Sequence, residues 1–132
     1  MNVFADTSAF YALLDASDGH HRKAADTWQE IIGSGQDVLT SNYVLVETFA
    51  LIQSRLGLEA VREFQSDIVP ILDVTFVTPE LHRLGMAALI AASRRGLSLV
   101  DCVSFEVMRD LGIKSAFAFD PHYREYGFTV IP

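Results

Sequence analysis

Short apolar runs alternate with longer amphipathic segments along the whole chain, and this alternation is its first structural signal. The strand-like runs are Asn2–Ala5, Asp37–Thr40, either Val69–Leu72 or Val74–Val77, Ser115–Phe119 and Phe128–Ile131. The segments with helical spacing are Ser8–Leu14, His20–Gly33, Tyr43–Leu56, Leu58–Ile68, Glu80–Arg95 and Leu99–Leu111. Strands that alternate with helices in this way predict an α/β fold, in which a central, mainly parallel sheet is covered by helices on both faces.

Residues that start and stop helices support these limits. Thr78 followed by Pro79 is typical of an N-cap and the first helical position, and Gly96 and Gly112 are typical of helix C-terminal ends. The sequence contains no internal repeat, low-complexity tract or linker. We therefore expect a single domain over residues 1–132.

Composition narrows the setting in which such a domain works. Half of the 132 residues are hydrophobic (50%) and the mean hydropathy is +0.25, a surplus that favours a buried subunit or partner interface. The longest apolar run, Met86–Ala92, is far too short to span a membrane, and no signal peptide is evident at the N-terminus. The one cysteine, Cys102, cannot form an internal disulfide. These features predict a cytoplasmic protein that does not enter a membrane.

The charge balance is acidic, with ten Lys and Arg against 17 Asp and Glu and a formal net charge of −7. Taken alone, this charge argues against a nucleic-acid partner, because phosphates favour basic surfaces. It suits a basic protein partner or a bound cation.

Two acidic residues directly follow predicted strands. Asp6 comes after Asn2–Ala5, and Asp120 comes after Ser115–Phe119. Each has an ordinary explanation, since Asp6 suits the N-cap of the next helix and Asp120 with Pro121 is typical of a turn. However, the carboxyl ends of parallel strands meet at one edge of the sheet, where binding sites form. We therefore expect the two carboxylates to be neighbours.

Two more acidic residues lie in predicted helices with apolar surroundings. Glu47 is expected in the middle of a buried helix face, because its neighbours three and four residues away are all apolar. These neighbours are Tyr43, Val44, Ala50 and Leu51. An ion pair with an arginine would explain a buried glutamate, since an unpaired buried charge is costly. Asp101 stands in the first turn of its helix, and Ser98 before it completes a capping-box pattern.

Three or four carboxylates in one pocket repel one another unless a cation binds among them. The chain has only two lysines, Lys23 and Lys114, and Lys114 precedes its strand. Carboxylate oxygens and water suit Mg²⁺ or Mn²⁺, so either ion is the expected occupant. A zinc site is not favoured, because metal-ligand spacing is missing among His20, His21, His82, His122 and Cys102. Neither a glycine-rich phosphate loop nor a serine nucleophile elbow occurs.

Four segments, each holding one of these acids, resemble in order and spacing the PIN domain of VapC-type toxins. They read FADTSAFYALLDASDGHH, LTSNYVLVETFALI, LSLVDCVSF and AFAFDPHYREYGF, and the resemblance covers nearly the whole chain. It implies a three-layer α/β sandwich around a mostly parallel, five-stranded sheet. It also implies a Mg²⁺- or Mn²⁺-dependent endoribonuclease that cleaves RNA phosphodiester bonds.

The same resemblance implies residue roles and partners. The residues implied for metal binding and catalysis are Asp6, Glu47, Asp101 and Asp120, with the hydroxyl residues Thr7 and Ser8 in support. The implied partners are RNA as substrate, a second copy of the chain in a homodimer, and a VapB-like antitoxin that holds the toxin inactive.

Two alternatives stay open on the sequence alone. The first is a non-catalytic, PIN-like interaction domain whose metal is only structural. The second is an acid-pocket phosphotransfer domain, such as a receiver, which needs paired acids early in the chain and a lysine after the last central strand. The segment FADTS has only Asp6, and AFAFDPH has Asp120 where that lysine should stand. Metal-dependent cleavage of RNA would separate both alternatives from the nuclease.

Overall fold

A computed structural model of the chain describes residues 2–132 and contains a five-stranded, fully parallel sheet. The strands are β1 (Asn2–Ala5), β2 (Asp37–Ser41), β3 (Asp73–Thr75), β4 (Ser115–Phe117) and β5 (Thr129–Ile131). Their order across the sheet is β3-β2-β1-β4-β5, so β1 lies at the centre. Every neighbouring pair is parallel. The predicted α/β fold with five strands is confirmed.

Seven helices connect and cover these strands within the described residues. They are α1 (Thr7–Leu14), α2 (His21–Gly33), α3 (Asn42–Arg55), α4 (Leu58–Glu63), α5 (Pro79–Ala92), α6 (Leu99–Leu111) and α7 (His122–Glu125). Helix α4 continues through a π-helical turn at Phe64–Ile68 and a 3₁₀ turn at Val69–Ile71. None of the helices within residues 2–132 combines the length and apolar character that a membrane crossing requires.

Of the two alternatives for the third strand, Val69–Leu72 contains a helical turn, whereas Val74–Val77 overlaps β3. The predicted end of α5 is wrong. Helix α5 does not reach Arg95 but ends at Ala92, because Ser93 adopts a left-handed conformation with φ of 51° and takes the role predicted for Gly96. The capping predictions at the other end of this helix and at the end of α6 hold: Thr78 accepts a hydrogen bond from the backbone of α5, and Gly112 is left-handed.

Helices cover both faces of the sheet. In β1, the consecutive residues Val3, Phe4 and Ala5 are all fully buried, although side chains along a strand point alternately to opposite faces. The connections explain this layout. From β1 the chain steps through β2 to β3, then crosses back past β1 to β4 and β5. Because parallel crossovers are right-handed, this reversal of direction puts the earlier and later helices on opposite faces.

One close packing contact fixes α5 against α6. A Cβ atom on Gly85 would overlap Cγ2 of Val103 and would lie 3.1 Å from its Cα atom. Only a glycine therefore allows α5 to approach α6 so closely. The contact matters for the site, because the first turn of α6 carries Asp101.

Candidate metal centre

A cavity of about 340 Å³ opens at the carboxyl edge of the sheet, beside the ends of β1 and β4. This is the point where the order of strand connections reverses, and ligands bind at such points in open parallel sheets. The lining residues are Asp6, Thr7, Ser8, Glu47, Leu51, Ser98, Asp101 and Asp120. All six residues that the sequence nominates for the site thus line one cavity, and Leu51 and Ser98 join them.

Asp6 occupies the floor of this cavity, only 4% exposed. As the N-cap of α1, its Oδ2 atom accepts hydrogen bonds from the backbone N–H of Ser8 at 3.2 Å and from the Ser8 hydroxyl at 2.8 Å. Its Oδ1 atom accepts a hydrogen bond from the buried hydroxyl of Tyr123 at 2.9 Å. Burial raises the pKa of Asp6 above its ordinary value, against the lowering effect of these donors. Asp6 is thus both a helix cap and a pocket residue.

Glu47 projects into the cavity from α3, but its setting differs from the prediction. The fully buried stripe of α3 runs through Val44, Thr48 and Ile52, while Glu47 is half-buried and Ala50 is exposed. Its face therefore forms the wall of the cavity and not the middle of the core. Burial raises the pKa of Glu47, the Thr7 hydroxyl lowers it, and the charges of Asp6 and Asp120 raise it again.

The predicted capping box holds Asp101 in the first turn of α6. Its backbone N–H donates to Oγ of Ser98 at 3.1 Å, and its Oδ2 atom accepts from the N–H of Ser98 at 3.0 Å. Burial raises the pKa of Asp101 from 3.8 to about 6; the Ser98 backbone opposes this shift, and the charges of Asp120 and Asp6 add to it. The capping role and the pocket role coexist, because the second carboxylate oxygen stays available.

Asp120 lies beyond the end of β4, in the turn that leads to α7. Its Oδ1 atom accepts a hydrogen bond from the backbone N–H of His122 at 2.9 Å. The Nδ1 atom of His122 lies 2.8 Å from the same oxygen and 3.9 Å from Oδ2 of Asp101. One ligand atom from each of these three residues lies within 4.8 Å of the others, so the three residues could hold a metal ion together.

The donor set of the cavity fits a divalent cation. Within residues 2–132, none of the four acids forms an ion pair with a lysine or arginine, so the expected alternative for Glu47 is not realised. The buried Nδ1 atom of His122 also lacks an aligned hydrogen-bond partner. Each resolved pKa shift among these acids is upward, with burial as the largest cause and neighbouring carboxylates adding to it. A bound cation relieves both effects, because it favours the ionised carboxylates.

Sequence reasoning missed two residues of this site. Tyr123 and His122 both belong to α7, a single turn that has no clear periodic pattern. The sequence pattern suggests His122 only as a zinc ligand, whereas in the structure it lies beside the carboxylates of Asp101 and Asp120. The Asp-Pro pair that begins this turn was a usable signal, since it favours a turn or helix start that brings the next residues back toward Asp120.

The fold and the acidic cavity together identify the class of protein. Residues 3–129 match the PIN domain family, and the chain belongs to that family. The chain is similar to the 23S rRNA-specific endonuclease VapC20 of Mycobacterium tuberculosis, with 35% identity over 130 residues that cover 98% of this chain and 97% of the relative. The crystal structure of VapC20, described as a sarcin-ricin loop cleaving toxin, matches with a TM-score of 0.85 and covers 98% of this chain and 99% of that chain.

More distant structures share the fold. One is the crystal structure of VapBC2 from Rickettsia felis bound to a DNA fragment from its promoter, with a TM-score of 0.72, 8% identity, and coverage of 98% of this chain and 97% of that chain. Another is FitAcB from Neisseria gonorrhoeae, with a TM-score of 0.72, 10% identity, and coverage of 100% and 97% respectively. At such low identity the likeness concerns the fold alone. Because the chain belongs to the PIN family, the alternative of an acid-pocket phosphotransfer domain is excluded.

Proposed function

We propose that this chain is an endoribonuclease that depends on Mg²⁺ or Mn²⁺ and is the toxin of a VapBC-type pair, with residues 1–132 forming one PIN domain. The observation that carries the proposal is the gathering of four carboxylates, none paired with a lysine or arginine within residues 2–132, in one cavity at the sheet edge. The 35% identity with a relative named as an endonuclease of 23S rRNA supports RNA as the substrate class.

The residues proposed to hold one or two ions are Asp6, Glu47, Asp101 and Asp120. Asp6 and Asp101 are the first choices as direct ligands, because they are the most buried acids of the cavity. When bound, a divalent ion supplies a Lewis acid for the scissile phosphate and makes a bound water a stronger nucleophile. Glu47 is only half-buried on the cavity wall, which suits it to orient or deprotonate that water.

The supporting residues keep the acids in place. Ser8 donates to Asp6 and in turn accepts a hydrogen bond from the backbone N–H of Phe119 at 3.0 Å, which ties the end of β1 to the end of β4. The Thr7 hydroxyl forms a 3.0 Å hydrogen bond with that of Thr48 on α3. These contacts fix the spacing between elements that carry different acids, and such support maintains metal affinity.

Among the described residues, no lysine or arginine lines the acidic cavity, which fits selective binding of RNA. Arg94 is paired with Glu125, and Arg109, at the opposite end of α6 from Asp101, is paired with Glu106. Arg124 lines a neighbouring cavity of about 200 Å³ together with Asp120. It is therefore the residue proposed to bind a phosphate next to the one being cleaved.

The decisive experiment is cleavage of a mixed pool of tRNA, rRNA and mRNA by the folded protein, free of bound antitoxin, with Mg²⁺, Mn²⁺ or EDTA. We expect discrete fragments with either metal and none with EDTA, and 23S rRNA is the first RNA to inspect in view of the relative's name. Intact RNA under both metals would contradict the nuclease and favour the non-catalytic interaction domain.

We further propose a cytoplasmic homodimer that binds a basic, VapB-like antitoxin. Three large apolar side chains, Val46, Phe76 and Ile90, are more than two-thirds exposed, which favours burial against a second chain. The net charge of −7 suits a basic partner.

For the homodimer, light scattering of the purified protein should give twice the mass of one chain. The mass of a single chain would contradict the homodimer.

A further inference from the structure

Tyr123 is a buried tyrosine whose hydroxyl group reaches the cavity from below. The residue is 0% exposed, and its hydroxyl donates to Oδ1 of Asp6 at 2.9 Å. Ser8 supplies both donors to the other oxygen, Oδ2. Oδ2 therefore accepts two hydrogen bonds and Oδ1 accepts one, so the lone pair that remains for a metal ion is on Oδ1, the oxygen that Tyr123 holds.

The position and the donor role of this phenol are both fixed. Its ring is fully buried and packs edge-on against Phe105, with ring centroids 5.1 Å apart and planes at 86°, and this packing restricts movement of the hydroxyl. Burial, followed by the charge of Asp6, raises the pKa of Tyr123 well above its ordinary value. Independently of this shift, a tyrosine hydroxyl is protonated at neutral pH, so the phenol can donate to Asp6. The fully buried hydroxyl of Ser104 lies close enough to lower that pKa, although it is not aligned as a hydrogen bond.

Tyr123 also links two strand ends that carry different acids. It lies three residues after Asp120, in the turn whose backbone holds that carboxylate through His122. The same turn thus supplies Asp120 from the β4 side and the donor that fixes Asp6 on the β1 side. A shift of α7 would change the spacing of both carboxylates at once.

We propose that Tyr123 is a positioning residue for the metal centre: its hydroxyl holds the carboxylate of Asp6 in the orientation that binds the divalent ion. This inference rests on the proposed function, because it takes Asp6 as a metal ligand. Donors behind a metal ligand typically change metal affinity by about 10–100-fold when they are removed. A purely structural tyrosine would instead affect folding and leave metal affinity unchanged.

The test is titration of Mn²⁺ into the metal-free full chain by calorimetry, for wild type, Tyr123→Phe and Tyr126→Phe. Tyr126 is the matched control, since it also packs its ring on Phe105, at 4.7 Å, but its side chain is half-buried beside Arg94 and not beside the acids. We expect the Kd for Mn²⁺ to rise about tenfold or more in Tyr123→Phe and to stay unchanged in Tyr126→Phe. RNA cleavage by Tyr123→Phe should recover at high Mn²⁺ concentration.

Each outcome decides the inference. A Tyr123→Phe protein that folds and binds Mn²⁺ as tightly as wild type would overturn it. If Tyr123→Phe does not fold, replacement of Tyr123 by 4-fluorophenylalanine takes its place, because the fluorine fills most of the space of the hydroxyl but cannot donate a hydrogen bond to Asp6; an unchanged Kd in that variant would overturn the inference, and a raised Kd would support it. Wild type that binds Mn²⁺ but cleaves no RNA would contradict the nuclease alone. Wild type that binds no Mn²⁺ would overturn both proposals.

Discussion

Replacement of Asp6 by asparagine is expected to lower RNA cleavage by about 10²–10³-fold or more, the scale of a single preorganised electrostatic group. Asparagine keeps the size of the side chain and still caps α1. It removes the negative charge at the position that is most enclosed by the pocket, where both carboxylate oxygens are held by Ser8 and Tyr123. Cleavage of the RNA identified in the pool experiment, measured at saturating Mg²⁺, gives the ratio of wild-type to variant rate.

The same substitution should not weaken the fold. Burial raises the pKa of Asp6, and the charge of Asp120 raises it further, so the ionised carboxylate is unfavourable in the metal-free protein. The free energy of unfolding of Asp6→Asn is therefore expected to equal or exceed that of wild type. Asp37→Asn is the control for the lost charge, because Asp37 is exposed at the amino end of β2. Near-full activity of Asp6→Asn, or equal loss in both variants, would contradict the assigned role.

The clustering of the acids was predictable because it depends on topology more than on detail. Two of them follow strands, and parallel strands end at one edge of the sheet, so Asp6 and Asp120 were expected at that edge; the pairing of β1 with β4 then makes them neighbours. Asp101 carried its own local signal in the capping box with Ser98, which the structure contains. Neither inference required knowledge of packing.

Glu47 shows where sequence reasoning stops. Its apolar neighbours correctly indicate a face that turns inward, but a helical pattern cannot distinguish a face against the core from a face against a cavity. The structure buries Val44 and Ile52 as the pattern indicates, but it also buries Thr48 and exposes Val46 and Ala50, so the pattern marks the inward side of α3 only in part. The apparent burial of Glu47 was therefore exaggerated, although its place in the cavity was not.

The residues that were missed depend on long-range contacts. The hydrogen bond between Tyr123 and Asp6 joins positions 117 residues apart and requires both β4 and the turn of α7 to be in place. No local pattern encodes such a pair. The end of α5 is a different case, since it is set by Ser93 in a left-handed conformation that glycine usually adopts, which made Gly96 the more plausible stop.

Without metal, the protein is expected to lose stability as the pH rises from about 4 to about 7. The pKa of Asp101 is raised from 3.8 to about 6 in the fold, so between these values the folded state binds more protons than the unfolded state. The contribution of the protonated Asp101 carboxyl to the free energy of unfolding is fully present below the unfolded pKa. It is lost as the pH rises through the folded pKa. The shift corresponds to roughly 2–3 kcal/mol. The upward shifts of Asp6 and Glu47 act in the same direction.

Denaturant unfolding in EDTA across this pH range isolates the effect of Asp101 by comparison with Asp101→Asn. The variant keeps an oxygen that can accept from Ser98, so its capping box survives, and it should be more stable than wild type near pH 7 but not near pH 4. Asp110→Asn, exposed on the same helix, controls for the lost charge.

Saturating Mg²⁺ should reverse the loss of stability with rising pH in wild type, because the ion binds the ionised carboxylates. At about 100 times its Kd, Mg²⁺ adds about 2.7 kcal/mol to the free energy of unfolding. If wild type and Asp101→Asn lost stability equally with pH, and Mg²⁺ did not stabilise wild type, both assignments would be contradicted. The pKa of Asp101 would then not be raised in the fold, and its carboxylate would not bind the metal.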